Sequence, residues 1–198
     1  MKGIVMSAQT DRAQSSSGWL KSYYYLRFAV SAAWVLAAFT VAKTVPPLAA
    51  VMLVAYPAWD ALANYIDAQR SGGLGRNRSQ LLNFAVSFLT AIAVVVALGR
   101  GMNAVLAVYG VWAVFSGAFQ LLTAVRRWRT SGAQWAMILS GAQSALAGLF
   151  FVKMAGSAEA IGIANVAPYA AFGAFYFLVS ALWLSVSDVL RKSPRVAS

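Results

Sequence analysis

The chain of 198 residues contains no cysteine, no histidine and only five acidic residues. Without cysteine there is no disulfide and no thiolate chemistry. Without histidine there is no imidazole general base, and the two absences together remove the usual zinc ligand sets. The few carboxylates stand mostly at the edges of apolar runs, too dispersed for a metal cluster. No metal or cofactor is expected, and the chain reads as a non-enzyme. Charge of any sign is scarce: 11% of residues are charged and 61% are hydrophobic, the wrong balance for a soluble domain. The first residues also lack the apolar core of a cleavable signal.

What is present is a series of nearly uncharged windows of about twenty residues, the length that spans a hydrocarbon core of about 30 Å. Six such spans are predicted, at about 25–41, 47–66, 80–98, 102–125, 133–152 and 163–186. The fold class is all-α integral membrane protein, with six transmembrane helices in a domain covering 19–190. A polar, disordered tail is expected over 1–18 and a basic tail over 191–198. The stretch Lys43-Thr44-Val45-Pro46-Pro47 reads as a tight turn with proline in the first turn of the next helix. The glycines and arginines of 67–79 read as a flexible loop; no Gly-Lys-Ser/Thr follows, so it is not a phosphate loop.

Basic residues exceed acidic ones by a net charge of +11, in short clusters between the spans. That is the pattern of membrane topology, with anionic lipid headgroups as partners and no nucleic acid. Lys and Arg number four in the N-terminal region counted through Arg27, three each in the second and fourth connections, and three in the C-terminal tail. Lys43, Arg100 and Lys153 stand alone in the other connections. Both termini are therefore expected on the cytoplasmic side. Trp19, Tyr23, Tyr24 and Tyr25, with Arg126, Arg127 and Arg129 further on, are expected at the membrane surface, where aromatic rings settle and basic side chains snorkel.

Asp60 is the one carboxylate expected inside the hydrocarbon layer, a turn or two from its cytoplasmic edge. Asn64 follows it at helical spacing, and Pro57 predicts a bend just before it. An intramembrane carboxylate is a functional candidate by default. Arg27 begins the first span at similar depth, so an ion pair between Arg27 and Asp60 is expected, with a partly wet, simply paired Asp60 as the plainer account.

Two polar stripes accompany it: Gln80, Asn83, Ser87 and Thr90 in the third span, and Ser116, Gln120 and Thr123 in the fourth. Interhelical hydrogen bonding accounts for both; a hydrated cavity joining them to Asp60 and Asn64 is the sharper alternative. Small residues at contact spacing, Ala113 and Gly117 with Ser140, Ser144 and Gly148, predict close helix packing, within the chain or in a homo-oligomer.

Short words recur. Phe28-Ala29-Val30-Ser31 reappears unchanged at 84–87, and Tyr56-x-x-Trp59 is echoed by Tyr109-x-x-Trp112 and Tyr169-x-x-Phe172. The order and spacing predict three helical hairpins in parallel repeat. The segment from Tyr109-Gly110-Val111-Trp112 through Ser116-Gly117 and Gln120, then Trp135, Ser140-Gly141 and Gly148, resembles the HdeD-like family of six-span bacterial membrane proteins. The resemblance, clearest over 80–190, implies six helices, a bacterial inner-membrane location and a link to acid resistance and general stress. It implies no catalytic residue. The expected function is thus a structural or stress-protective membrane protein. The alternatives are a small-solute or proton-coupled transporter centred on Asp60, and an assembly or lipid-binding scaffold.

Overall fold

Within a single continuous apolar segment of about twenty residues, the helix satisfies every backbone polar group in lipid internally. The computed structural model describes the backbone of residues 2–70, 72–127 and 134–192, and side chains over 18–70, 72–122, 124–125 and 138–190. Among the described residues there are helices and turns but no strands. In order come α1 (Lys2–Ala37), a π-helical turn (Ala38–Ala42), α2 (Pro46–Arg70), α3 (Arg78–Leu98), α4 (Met102–Arg127), α5 (Gln134–Ala155) and α6 (Ile163–Lys192). Six helices are long and apolar enough to cross a membrane. The chain is accordingly a multi-pass membrane protein by length and composition.

Two boundaries differ from expectation. α1 begins at Lys2, across residues expected as a disordered tail; no proline interrupts it, and extending an existing helix fixes only one further residue per bond. α2 runs on to Arg70. Asp60 therefore stands near the middle of that helix, about 15 Å before its end at about 1.5 Å per residue. The π-helical turn sits where the Thr40 hydroxyl donates back to the Leu36 carbonyl at 2.7 Å, a side-chain bond that competes with the helical ladder. Thr44 then donates its backbone N–H and its hydroxyl to the Val41 carbonyl, and Pro46 and Pro47 open α2.

The contacts divide the chain into two units, Trp34–Tyr169 and the pair of segments Met1–Ala33 with Ala170–Ser198. In the paired segments α1 and α6 meet side by side. Lys21 Nζ lies 3.3 Å from Asp188 Oδ2, and the Tyr25 and Ser185 hydroxyls are 3.2 Å apart. The Arg27 guanidinium rests 4.1 Å from the Phe177 ring centre.

Within Trp34–Tyr169 the most extensive contact is α4 with α5, followed by α2 with α3 and then α3 with α4. The sequence words had predicted hairpins of the first with the second helix, the third with the fourth and the fifth with the sixth. The third and fourth helices are in contact as those words have it, and the most extensive contact, α4 with α5, goes with small side chains. Gly110 and Gly117 on α4 face Gly148 and Gly141 on α5, so closely that a Cβ at Gly110 would lie 2.8 Å from the Gly148 carbonyl oxygen. A Cβ at Gly141 would lie 2.9 Å from the Gly117 carbonyl oxygen. Packing, with no hydrophobic drive between helices in lipid, favours such backbone approach.

Candidate functional site

Pro57 lies inside α2, fully buried. Having no N–H, it leaves the Leu53 carbonyl, one turn back, without its helical donor. The Tyr109 hydroxyl of α4 fills that place, donating to Leu53 O at 2.7 Å. Trp34 Nε1 donates to the neighbouring Met52 carbonyl at 2.8 Å. A proline expected to bend α2 is thus also the point at which two aromatic side chains anchor to its backbone.

One turn beyond stands Asp60. Its Oδ2 accepts the Ser87 hydroxyl of α3 at 2.7 Å and the Asn64 side-chain amide at 3.0 Å. The same amide nitrogen lies 2.8 Å from the Asp60 backbone carbonyl. Ser87 is itself an acceptor, for Trp112 Nε1 of α4 at 3.1 Å. A single chain of donors, Trp112 to Ser87 to Asp60, therefore crosses three helices. Ser87 is 1% exposed and Trp112 4%, so the chain is dry at its centre.

Aromatic rings enclose it. Trp112 meets Tyr56, Tyr109 and Tyr169 edge to face, with centroids 5.6 to 6.0 Å apart. These three tyrosines are the first letters of the recurring Tyr-x-x-aromatic word, brought together around the tryptophan of the second copy. Such edge-on contacts are worth about 0.5–1.5 kcal/mol each beyond burial. Tyr169 in turn shares its hydroxyl with Ser144 at 3.0 Å, and Ser144 reaches the Ala113 carbonyl at 3.0 Å.

Residues 85–153 match the short repeat of unknown function DUF308. The DUF308 segment begins inside α3 and runs to the last turn of α5, so it contains both facing glycine pairs, Ser87 and Trp112. Asp60 and Asn64 lie outside it. No curated protein and no solved structure matches the chain.

The polar stripes divide in the structure. Of the third-span set, Ser87 reaches Asp60, Gln80 reaches Asp67 Oδ2 at 2.9 Å, and Thr90 turns back to the Val86 carbonyl. Asn83 is half-buried and makes no hydrogen bond among the described residues. In the fourth span Gln120 donates to Ser140 at 3.2 Å, and Ser116 is half-buried. The side chain of Thr123 lies outside the described residues. Ala113, Gly117, Ser140, Ser144 and Gly148 all lie on the α4–α5 contact.

Arg27 belongs to the other unit, where it donates to the Tyr23 hydroxyl at 3.2 Å and covers the Phe177 ring. Of the aromatic girdle, Trp19 stacks on Tyr23 and Tyr24 on Phe177, while Tyr25 is exposed. Tyr23 is buried, so its ring packs among side chains where a headgroup contact had been expected. Arg126 and Arg127 fall in the last turn of α4 with side chains outside the described residues, and Arg129 lies outside them altogether.

Tyr109, Trp112, Gly110 and Gly141 were not singled out as site residues from the sequence. The signal was available for the glycines: Gly110 and Gly117, like Gly141 and Gly148, are seven residues apart, two helical turns on one face.

Proposed function

We propose that this is a non-enzymatic protein of the bacterial inner membrane with a structural, stress-protective role, and that Asp60 ties helices together. Both termini are placed in the cytoplasm by the distribution of Lys and Arg. The observation that supports the reading is the donor chain ending on Asp60. An Asp at the centre of a spanning helix costs about 2.5–3.5 kcal/mol on insertion scales. Hydrogen bonds to a charged group contribute about 1.5–3 kcal/mol each. The Ser87 and Asn64 donors together are of the size needed to offset that cost, so retaining the carboxylate requires no permeant ion. The resemblance to the HdeD-like family supports the stress role, while the DUF308 repeat over residues 85–153 carries no assigned function.

Vesicles reconstituted with the wild-type chain and with Asp60→Asn, loaded with a pH-sensitive dye, provide the test. The two should hold an imposed pH gradient equally well, and acid survival of cells making either form should follow protein level. A wild-type proton or solute flux abolished by Asp60→Asn in a folded protein would replace this reading with transport.

A further inference from the structure

Between α2 and α3 runs an open apolar groove of about 530 Å³. Its floor is made of small residues: Ala61 is 3% and Ala91 8% exposed, with Ala58 beside them. At one end the walls are Tyr65, Phe84 and Phe88, whose rings succeed one another at 5.9 Å. The groove extends along α2 from Val54 to Tyr65 and along α3 from Phe84 to Val95. At about 1.5 Å per residue either wall is about 16 Å long, close to half of a hydrocarbon core about 30 Å thick. Its length is that of one leaflet.

The aromatic end points toward the connection between the two helices, and that end is basic. Arg70 closes α2, Arg78 opens α3 and Arg76 lies between them. Asp67 is the one carboxylate nearby, and Gln80 holds its Oδ2 at 2.9 Å. Arg76 and Arg78 have no ion-pair partner among the described residues, and both are exposed. The turn ahead of Arg76 holds two glycines with positive φ, Gly72 at 100° and Gly73 at 90°. Gly73 O accepts the Arg76 N–H at 3.2 Å and the Asn77 side-chain amide at 3.2 Å. The arginines are thus carried on an ordered turn.

We propose that the α2–α3 groove, with Arg76 and Arg78, is a binding site for one anionic phospholipid, its acyl chain in the groove and its phosphate on the guanidinium groups. The argument is the join of two features of different chemistry. An apolar trough about as long as one leaflet runs toward the turn that carries Arg76 and Arg78, which matches the distribution of apolar and negative parts in such a lipid. A zwitterionic lipid would fill the trough and leave the arginines without a net counter-charge. The site rests on the membrane reading of the chain and is independent of what Asp60 does.

The test uses the full chain in detergent, with phosphatidylglycerol or phosphatidylcholine of identical acyl chains added and retention read by native mass spectrometry. The wild type should retain one phosphatidylglycerol in preference. Arg76→Gln with Arg78→Gln should lower that preference on the order of thirtyfold, taking about 1 kcal/mol for each basic residue. Arg76→Lys with Arg78→Lys keeps the charge and should keep most of the preference. Ala58→Phe, at an exposed position of the groove, should lower retention of both lipids alike. Helical circular dichroism establishes that each variant is folded. Equal retention of the two lipids by the wild type, or undiminished retention after the Gln pair or after Ala58→Phe, would overturn the site. A proton flux through Asp60 would overturn the functional reading above and leave these retention measurements unchanged.

Discussion

The Tyr109 hydroxyl stands 2.7 Å from the Leu53 carbonyl oxygen, the group that Pro57 deprives of its helical donor. Both residues are fully buried, so no water takes over if the hydroxyl is removed. Tyr109→Phe should therefore cost about 1–3 kcal/mol, the desolvation penalty of a stranded buried acceptor. Pro57→Ala restores an N–H that can reach Leu53. In that background Tyr109→Phe should cost clearly less, and thermal unfolding of the four proteins of this cycle in detergent measures the difference. Additive losses would show that the hydroxyl does not serve the proline gap.

The facing glycines of α4 and α5 lead to a steric prediction. A Cβ at Gly117 would run into the Gly141 carbonyl and the Ala145 nitrogen, and one at Gly148 would lie 2.6 Å from the Val114 nitrogen. These obstacles are backbone atoms, so the helices must separate. Gly117→Ala and Gly148→Ala should each destabilise by about 1–3 kcal/mol, as overpacking does. Gly162→Ala meets nothing within 4 Å and should be close to neutral. A thermal shift series that fails to rank Gly162→Ala as the mildest would contradict the close approach.

Ser87 is both donor to Asp60 and acceptor for Trp112, and its loss removes the acceptor of Trp112 Nε1 and one of the donors on Asp60 Oδ2. Ser180 offers the comparison, since its hydroxyl returns to the Tyr176 carbonyl of its own helix. Ser87→Ala should cost about 1–3 kcal/mol and Ser180→Ala a few tenths. Asp60→Ala combined with Ser87→Ala should cost less than the sum, with a coupling of about 0.5–3 kcal/mol. Strict additivity in chemical unfolding would remove the network.

Orientation is open to a direct readout. Reporter fusions after Arg100, and within 153–162, should read out as periplasmic, and fusions at either terminus as cytoplasmic. A cytoplasmic signal after Arg100 would invert the arrangement and move the proposed lipid site to the opposite leaflet.

The six spans were legible because hydropathy and length are properties of a short window, independent of what the window later touches. Lys43 and Arg100 mark two connections in the same local way, Lys153 falls in the last turn of α5 instead of the connection expected there, and Pro46 and Pro47 mark the start of α2. The exceptionality of Asp60 was equally local, a carboxylate set among apolar residues. Which helices approach was not. Gly110 and Gly141 become fully informative only when each is seen against its partner on the other helix, Gly148 and Gly117, because the criterion is the space left by a missing Cβ. For the same reason the recurring words pointed to hairpins, while the closest pair became α4 with α5. The fate of each polar residue also waited on the tertiary structure. Ser87 and Thr90 lie three residues apart on one face of α3, yet one hydroxyl crosses to Asp60 and the other turns back on its own helix. Sequence periodicity assigns a face, whereas a hydrogen bond depends on which neighbour offers an acceptor within about 3 Å of it.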